Sequence, residues 1–404
     1  MAPVPGSGPQ PADRRARAAV AALFLTNGAL FANLVPRYPE IKAALGLDNA
    51  TYGLAIAAFP TGAILAGLGA GFLVRRFGSG RAAVVGTILT GLGVLAAGLA
   101  PSFGFLVLAL LLGGAMDAIT DVAQNAHGLR VQRRYGRSII NGFHAVWSIG
   151  AVLGGSMAAG AIALGLPLGT HLTISTVVFA IVALVALRFT LPGLDGDADD
   201  AAARATPAAD VRSAGVSPRI MLIVTALVLI AIGGALVEDA GSSWATLYLS
   251  DSLGAPAALA ATGFVALVGA QFVGRLLGDR MVDRFGQRMV ARGGGVLIAV
   301  GMGLALAFPT VPGTIAGFAV AGLGSATLVP AAMHEADELP GLRPGTGLTI
   351  VSWLMRLGFL ASPPLVGLVA DNAGLRYGLL VVPIAGILIV LLSGVLENRK
   401  TAPS

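Results

Sequence analysis

Two carboxylates and two amides share one side of a short stretch, DAITDVAQNAH, at 117–127. At helical spacing Asp117, Asp121, Gln124 and Asn125 fall within an arc of about 100°. The residues leading into the stretch are apolar from Phe103 onward. A carboxyl group in apolar surroundings can bind and release a proton near neutral pH, which is what proton coupling requires. The same groups can instead tie one helix to its neighbours. Glu238 raises both possibilities in a second apolar stretch. Its neighbour Asp239 points about 100° away, so the two share a face only if the helix breaks, which Gly241-Ser242-Ser243 would permit. Asp239 is read as a polar contact toward the outer side. Arg356 cannot shed its charge, so it needs an anion: Asp117, Asp121, Glu238, or the carboxylate or phosphate of a substrate. Asn27, Asn33 and Gln271 offer amides to a polar solute or to helix contacts. His144 and Trp147 stand three apart and share a face, with Trp353 at similar depth; aromatics in polar cavities stack on ligand rings. His127 and His334 are read as interfacial anchors. No metal-ligand cluster, nucleotide loop or Walker-type sequence occurs, so neither a metal nor a cofactor is expected, and the absence argues against an ATP-driven pump.

The elements that must position these groups are membrane spans. The chain has 404 residues, 56% hydrophobic and 11% charged, with mean hydropathy +0.84. A soluble domain is about 25% charged, and no soluble core of this length buries so much apolar surface. Apolar runs able to span about 30 Å recur at 16–38, 50–74, 81–100, 103–129, 138–165, 170–190, 218–247, 257–280, 288–308, 311–336, 345–370 and 374–396. The expectation is an all-α integral membrane protein of twelve transmembrane helices. Asp117 then lies about 21 Å along its helix, near mid-membrane, with Asp121 one turn nearer the cytoplasm. Arg356 is the one Arg or Lys placed at mid-membrane. Residues 191–217, rich in Ala, Asp, Gly and Pro, read as a cytoplasmic linker between an N-terminal half (16–190) and a C-terminal half (218–396). Residues 1–15 and 397–404 read as cytoplasmic tails. Of the 26 Lys and Arg residues, 22 fall on the side of the termini and 3 on the other, so both termini are placed in the cytoplasm. The net charge of +6 sits in short clusters between apolar runs and does not point to nucleic acid. Gly, at 57 residues, suits close helix packing, and the absence of Cys excludes disulfide and thiolate chemistry.

The two halves repeat. RFG at 76–78 recurs at 284–286, Leu45-Gly46 recurs as Leu253-Gly254, and His127 is matched by His334. The expectation is two six-helix pseudo-repeats enclosing a substrate site at mid-membrane depth.

The loop GFLVRRFGSGR (71–81) and its copy GRLLGDRMVDRFGQR (274–288) resemble the signature of major facilitator superfamily transporters. That resemblance implies a cytoplasmic gating motif built from Gly71, Arg75, Arg76, Gly78 and Arg81, and from Asp279, Asp283, Arg284 and Gly286. Arg75 stands where the signature has Asp, so the latch role of that Asp passes to Asp279 and Asp283. The resemblance also places the first, fourth, seventh and tenth helices around a central cavity. DVAQNAHGLRVQRRYGRSIINGFHAVWSIGAVLGG (121–155), with Ser138, Phe143 and His144, and the Glu238–Trp244–Tyr248-Leu249 pattern resemble the fucose-permease-like (YbjJ-type) branch. GAVLGG at 150–155 is similar to an antiporter signature with Ala151 in place of Pro.

The function expected is secondary active transport of a small organic solute, sugar-like or another metabolite, coupled to protons by alternating access across a bacterial-type inner membrane. The protein is expected to be no enzyme and to act as a monomer. Asp117, Asp121 and Glu238 are the proton candidates. Alternatives are a drug or metabolite antiporter working in efflux, an uncoupled facilitator, and a non-transporting membrane sensor.

Overall fold

The computed structural model describes residues 10–136, 138–194, 217–340, 342 and 345–396. Among these residues the chain is helical, with no strand. Twelve helices are long and apolar enough to cross a membrane: α1 Pro11–Ala44, α2 Asn49–Phe77, α3 Ser79–Gly98, α4 Phe103–Tyr135, α5 Ile140–Ala163, α6 Leu168–Leu187, α7 Pro218–Ser252, α8 Ala257–Phe285, α9 Gln287–Ala307, α10 Val311–Asp337, α11 Thr346–Ala373 and α12 Leu375–Val395. Residues 1–9 of the tail expected at 1–15, the tail expected at 397–404 and most of the expected linker lie outside the described residues, while residues 11–15 are helical.

Several spans run further than hydropathy alone indicates. α1 begins at Pro11, not near residue 16, and continues past residue 38 through a 3₁₀ turn at Val35–Arg37. α4 continues through the basic run to Tyr135. Three helices are interrupted four residues before a proline. The turn opens at Val35 ahead of Pro39, at Ala326 and Thr327 ahead of Pro330, and at Leu379 and Leu380 ahead of Pro383. A proline ring collides with the carbonyl four residues upstream and supplies no N–H to it, so the ladder yields there. α11 is interrupted at Met355, with no proline four residues on. α7 is unbroken through Gly241-Ser242-Ser243, contrary to the break that sequence permits; its irregular turn is a π-helix at Tyr248–Ser252.

Glycines at positive φ record the internal duplication. Gly46 (60°) and Gly254 (66°) are 208 residues apart, as are Gly78 (83°) and Gly286 (81°). Gly136 (65°) and Gly345 (79°) are 209 apart, as are Gly165 (66°) and Gly374 (95°). Each sits in a turn that a Cβ would strain. Four equivalent turns in each repeat define the six-helix pseudo-repeat.

The helices form two compact units: Met1–Leu34 with Ala58–Ala208, and Val35–Ala57 with Ala209–Ser404. In the first unit, α1 lies in backbone contact with α5. A Cβ on Gly28 would strike the Trp147 carbonyl, and Cβ atoms on Gly150 and Gly154 would strike the carbonyls of Leu25 and Ala29. The two glycines four apart on α5 are a small-residue packing face, which gives GAVLGG a structural account. Phe24 stacks on Phe143 beneath this contact, ring centroids 5.5 Å apart.

In the second unit, the segment Val35–Ala57 packs onto α7 and α11. Tyr52 lies edge-on to Trp244 at 4.9 Å and to Tyr38 at 5.9 Å. Its hydroxyl donates to the Ser243 carbonyl at 2.8 Å. The first turn of α2 is capped by two carboxylates. Asp48 accepts the Thr51 N–H at 2.7 Å, and Asp371 on α11 accepts those of Asn49 and Ala50 at 2.9 and 2.7 Å. Cβ atoms on Gly53 and Gly367 would strike the carbonyls of Pro363 and Asn49, so α2 and α11 touch through their backbones here.

Candidate functional site

The first unit holds one continuous polar chain across three helices. Asn27 on α1 donates through Nδ2 to Asp117 Oδ1 on α4 at 2.7 Å. Asn27 Oδ1 accepts the indole N–H of Trp147 on α5 at 2.8 Å. An indole nitrogen only donates, so the amide orientation is set by its two partners. Asn27 is 5% exposed, and α1 approaches α5 closely because Gly28 follows it. Asp117 is half-buried, and no cation of its own unit pairs with it among the described residues.

Asp121 stands one turn on and is exposed. It takes the amides of its own helix: Gln124 Nε2 at 3.4 Å, and Asn125 Nδ2 at 3.0 Å to the carboxylate and 2.9 Å to the backbone carbonyl. Gln124 is wholly buried, and its Oε1 has no donor among the described residues. The four groups of DAITDVAQNAH therefore separate. Asp117 reaches across to α1, while Asp121, Gln124 and Asn125 form a local set.

Asn33 is wholly buried and is held by Ala29 O at 2.8 Å and by His171 Nε2 at 2.8 Å. The amide donates to Ala29, so its oxygen accepts from His171 and the histidine carries its proton on Nε2. His171 drew no attention in the sequence; nothing in its local pattern announces a partner 138 residues away. His144 is exposed and meets Phe24 edge-on at 5.3 Å.

His127 is wholly buried, which corrects its reading as an interfacial anchor. The Leu191 N–H donates to Nε2 at 3.0 Å, leaving Nδ1–H to donate to Ser79 Oγ at 2.7 Å. Arg130 reaches the Pro192 and Gly193 carbonyls at 2.8 and 3.3 Å. Together these groups fasten the chain leaving α6 to α3 and α4. His334 is exposed and lies 3.8 Å from Glu338.

In the second unit, Glu238 Oε2 accepts Gln271 Nε2 at 2.7 Å and lies 3.5 Å from Arg275 Nη2. Arg275 sits inside α8, about 15 Å from its end at Phe285. Arg356 begins the helical segment after the interruption at Met355 and is half-buried; within its unit no described carboxylate pairs with it. Trp353, one turn before it, is 50% exposed. Asp239, read from the sequence as an outer-side polar contact, has a sparser setting. Its Oδ2 is buried without a partner among the described residues, and Ser243 Oγ approaches Oδ1 at 3.5 Å.

The two signature loops share one geometry. Gly78 and Gly286 each end one helix and begin the next at positive φ (83° and 81°). Gly71 is half-buried, and Arg75, Arg76, Arg81, Asp279, Asp283 and Arg284 are exposed. The Arg284 guanidinium lies 5.4 Å from the Phe285 ring centroid. Asp279 and Asp283 make no hydrogen bond or ion pair among the described residues.

A duplicated set of twelve membrane-capable helices, with carboxylates, amides and arginines held inside the spans, defines a multi-pass membrane transporter. The family model of the Major Facilitator Superfamily matches residues 20–281 and 240–404, and the chain belongs to that superfamily. It is 29% identical over 381 residues to the uncharacterized transporter y4wD of Sinorhizobium fredii, covering 94% of this chain and 97% of that one. Among solved structures, a point mutant of the nucleoside transporter NupG superposes with a TM-score of 0.72 at 14% identity, covering 94% of this chain and 98% of NupG. A D-xylose-proton symporter superposes with a TM-score of 0.71 at 16% identity, covering 94% and 96%. The family and these relatives are transporters, not enzymes.

Proposed function

We propose that this transporter couples protons to the movement of a small polar organic solute across a bacterial-type cytoplasmic membrane, with both termini in the cytoplasm. The observation that carries this is Asp117, a carboxylic acid near the middle of a 33-residue span that receives an amide from Asn27 and no cation from its own unit among the described residues. An ionised carboxylate so placed is expensive, whereas a protonated one is not, so the position is suited to taking up and releasing a proton. The Asn27–Trp147 arm holds Asp117 beside an indole and an amide that can contact a polar solute. The D-xylose-proton symporter shares this fold and supports a proton-coupled sugar-like reading, while the fold of the nucleoside transporter NupG keeps the solute class broad. The fucose-permease-like branch and a monomeric state are part of the same proposal.

The test is transport in proteoliposomes under an imposed pH gradient. Asp117→Asn should abolish accumulation against a solute gradient while leaving solute exchange. If the variant still concentrates solute, Asp117 is not the coupling residue.

A further inference from the structure

The sequence favours Glu238 over Asp239, and their surroundings differ. Glu238 is provided for: Gln271 and Arg275 both approach its Oε2. Asp239 has only the Ser243 hydroxyl, at 3.5 Å from Oδ1, and nothing on its buried Oδ2 among the described residues. Ser362 on α11 lies beside this carboxyl without completing a hydrogen bond. Tyr38 and Tyr52, both wholly buried, bring phenol groups within electrostatic reach from the segment Val35–Ala57. The Tyr38 hydroxyl and the Trp244 indole N–H have no partner among the described residues. The titratable groups near Asp239 are Glu238 on α7 itself and the two tyrosines, with Asp251 acting on Tyr52. No arginine, lysine or histidine pairs with Asp239 among the described residues.

Asp239 is half-buried, and a charged carboxylate with one oxygen bare is costly in such a place, because the loss of water at that oxygen would go uncompensated. A neutral acid leaves only an ordinary polar group short of a partner, which costs far less. The arrangement therefore suits the protonated acid better than the carboxylate. The same residues seat the segment: Tyr52 donates to the backbone of Ser243, and the Ser243 side chain donates to Asp239. We propose that Asp239 is a second proton-binding carboxylate, and that its proton keeps Val35–Ala57 seated on α7. When the proton leaves, the carboxylate draws water or the nearby hydroxyls to itself, the Tyr52–Ser243 contact loosens, and the segment lifts. The proposal deepens the proton-coupled reading without depending on Asp117.

The chain contains no cysteine, so single cysteines report without background. Ala55 is wholly buried on α2 one turn after Tyr52, and Ala44 is exposed at the end of α1. The maleimide labelling rate of Ala55→Cys, divided by that of Ala44→Cys, removes the intrinsic pH dependence of the thiol. With Asp239 present this ratio should rise about fivefold or more between about pH 5.5 and about pH 8.5. With Asp239→Asn it should stay at its low-pH value throughout. Ser243→Ala, which removes the donor to Oδ1, should displace the midpoint of the response. A flat or falling ratio with Asp239 present overturns the proposal, as does an equal rise in Asp239→Asn or an unmoved midpoint in Ser243→Ala. Asp117→Asn should leave the labelling response intact, so a failure of Asp117 as coupling residue is distinguished from a failure here.

Discussion

Asn27 and Asp117 lie 90 residues apart in sequence and 2.7 Å apart in space, joined by one amide hydrogen bond. Asn27→Ala leaves both Asp117 and the Trp147 indole short of a partner. The expected cost is about 1–3 kcal/mol, the usual penalty for buried polar groups left unpaired. It should appear as a lower melting temperature in detergent. Trp147→Phe removes only one of the two bonds and should cost less; an equal or larger loss would show that Asn27 is not the joint.

Glu238 is held by two unequal partners. Gln271 is buried and bonds at 2.7 Å, whereas Arg275 is partly exposed at 3.5 Å. A double-mutant cycle between Glu238→Gln and Arg275→Ala should give a coupling of about 0.2–1 kcal/mol, as for other partly solvated pairs. The corresponding cycle with Gln271→Leu should give more. Reversal of that order would place the main anchor of Glu238 on Arg275.

Gly150 faces the Leu25 carbonyl with no space for a side chain. Gly150→Val must push α1 from α5 and should cost about 1–3 kcal/mol, the range for overpacking. Gly160, on the same helix, meets nothing at its Cβ position, so Gly160→Ala should be tolerated. Thermal unfolding of the two variants side by side checks this. Similar melting points would remove the close-packing account of GAVLGG.

Asp48 lies in the turn before α2, where the Thr51 side chain and N–H, followed by the charge of Lys42, hold its carboxyl below the ordinary carboxylate range. A lowered folded value means that the cap stabilises fully above the ordinary carboxylate value. Its contribution is lost as pH falls from there through the lowered value. Asp48→Asn should flatten the acid limb of a melting-temperature profile. Asp371→Ala, which frees two N–H groups of the same turn, should cost about 0.5–2 kcal/mol. A steep acid limb retained in Asp48→Asn would assign the sensitivity elsewhere.

Twelve spans, the duplication and the superfamily were legible in the sequence because they rest on local quantities. Run length, glycine placement and the 76–78 and 284–286 repeats need no knowledge of what touches what. The interruptions of α1, α10 and α12 were legible in principle too, since each lies four residues before a proline. Depth along a helix also singled out Asp117.

Partners were not legible. His171, paired to Asn33, and Arg275, beside Glu238, have unremarkable neighbours in sequence; their roles come from α6 and α8 packing against α1 and α7. Glu238 and Asp239 are adjacent acids in one unbroken helix, and the sequence ranked the first above the second. A difference in direction of about 100° turns Glu238 toward Gln271 and Arg275, and Asp239 toward Ser362 and two buried tyrosines. Helix and span follow from short-range pattern and from the transfer of side chains into hydrocarbon, and the sequence states both. Whether a buried acid keeps its charge depends on which donors stand within about 3 Å of it, and only the packing of helices far apart in the chain decides that.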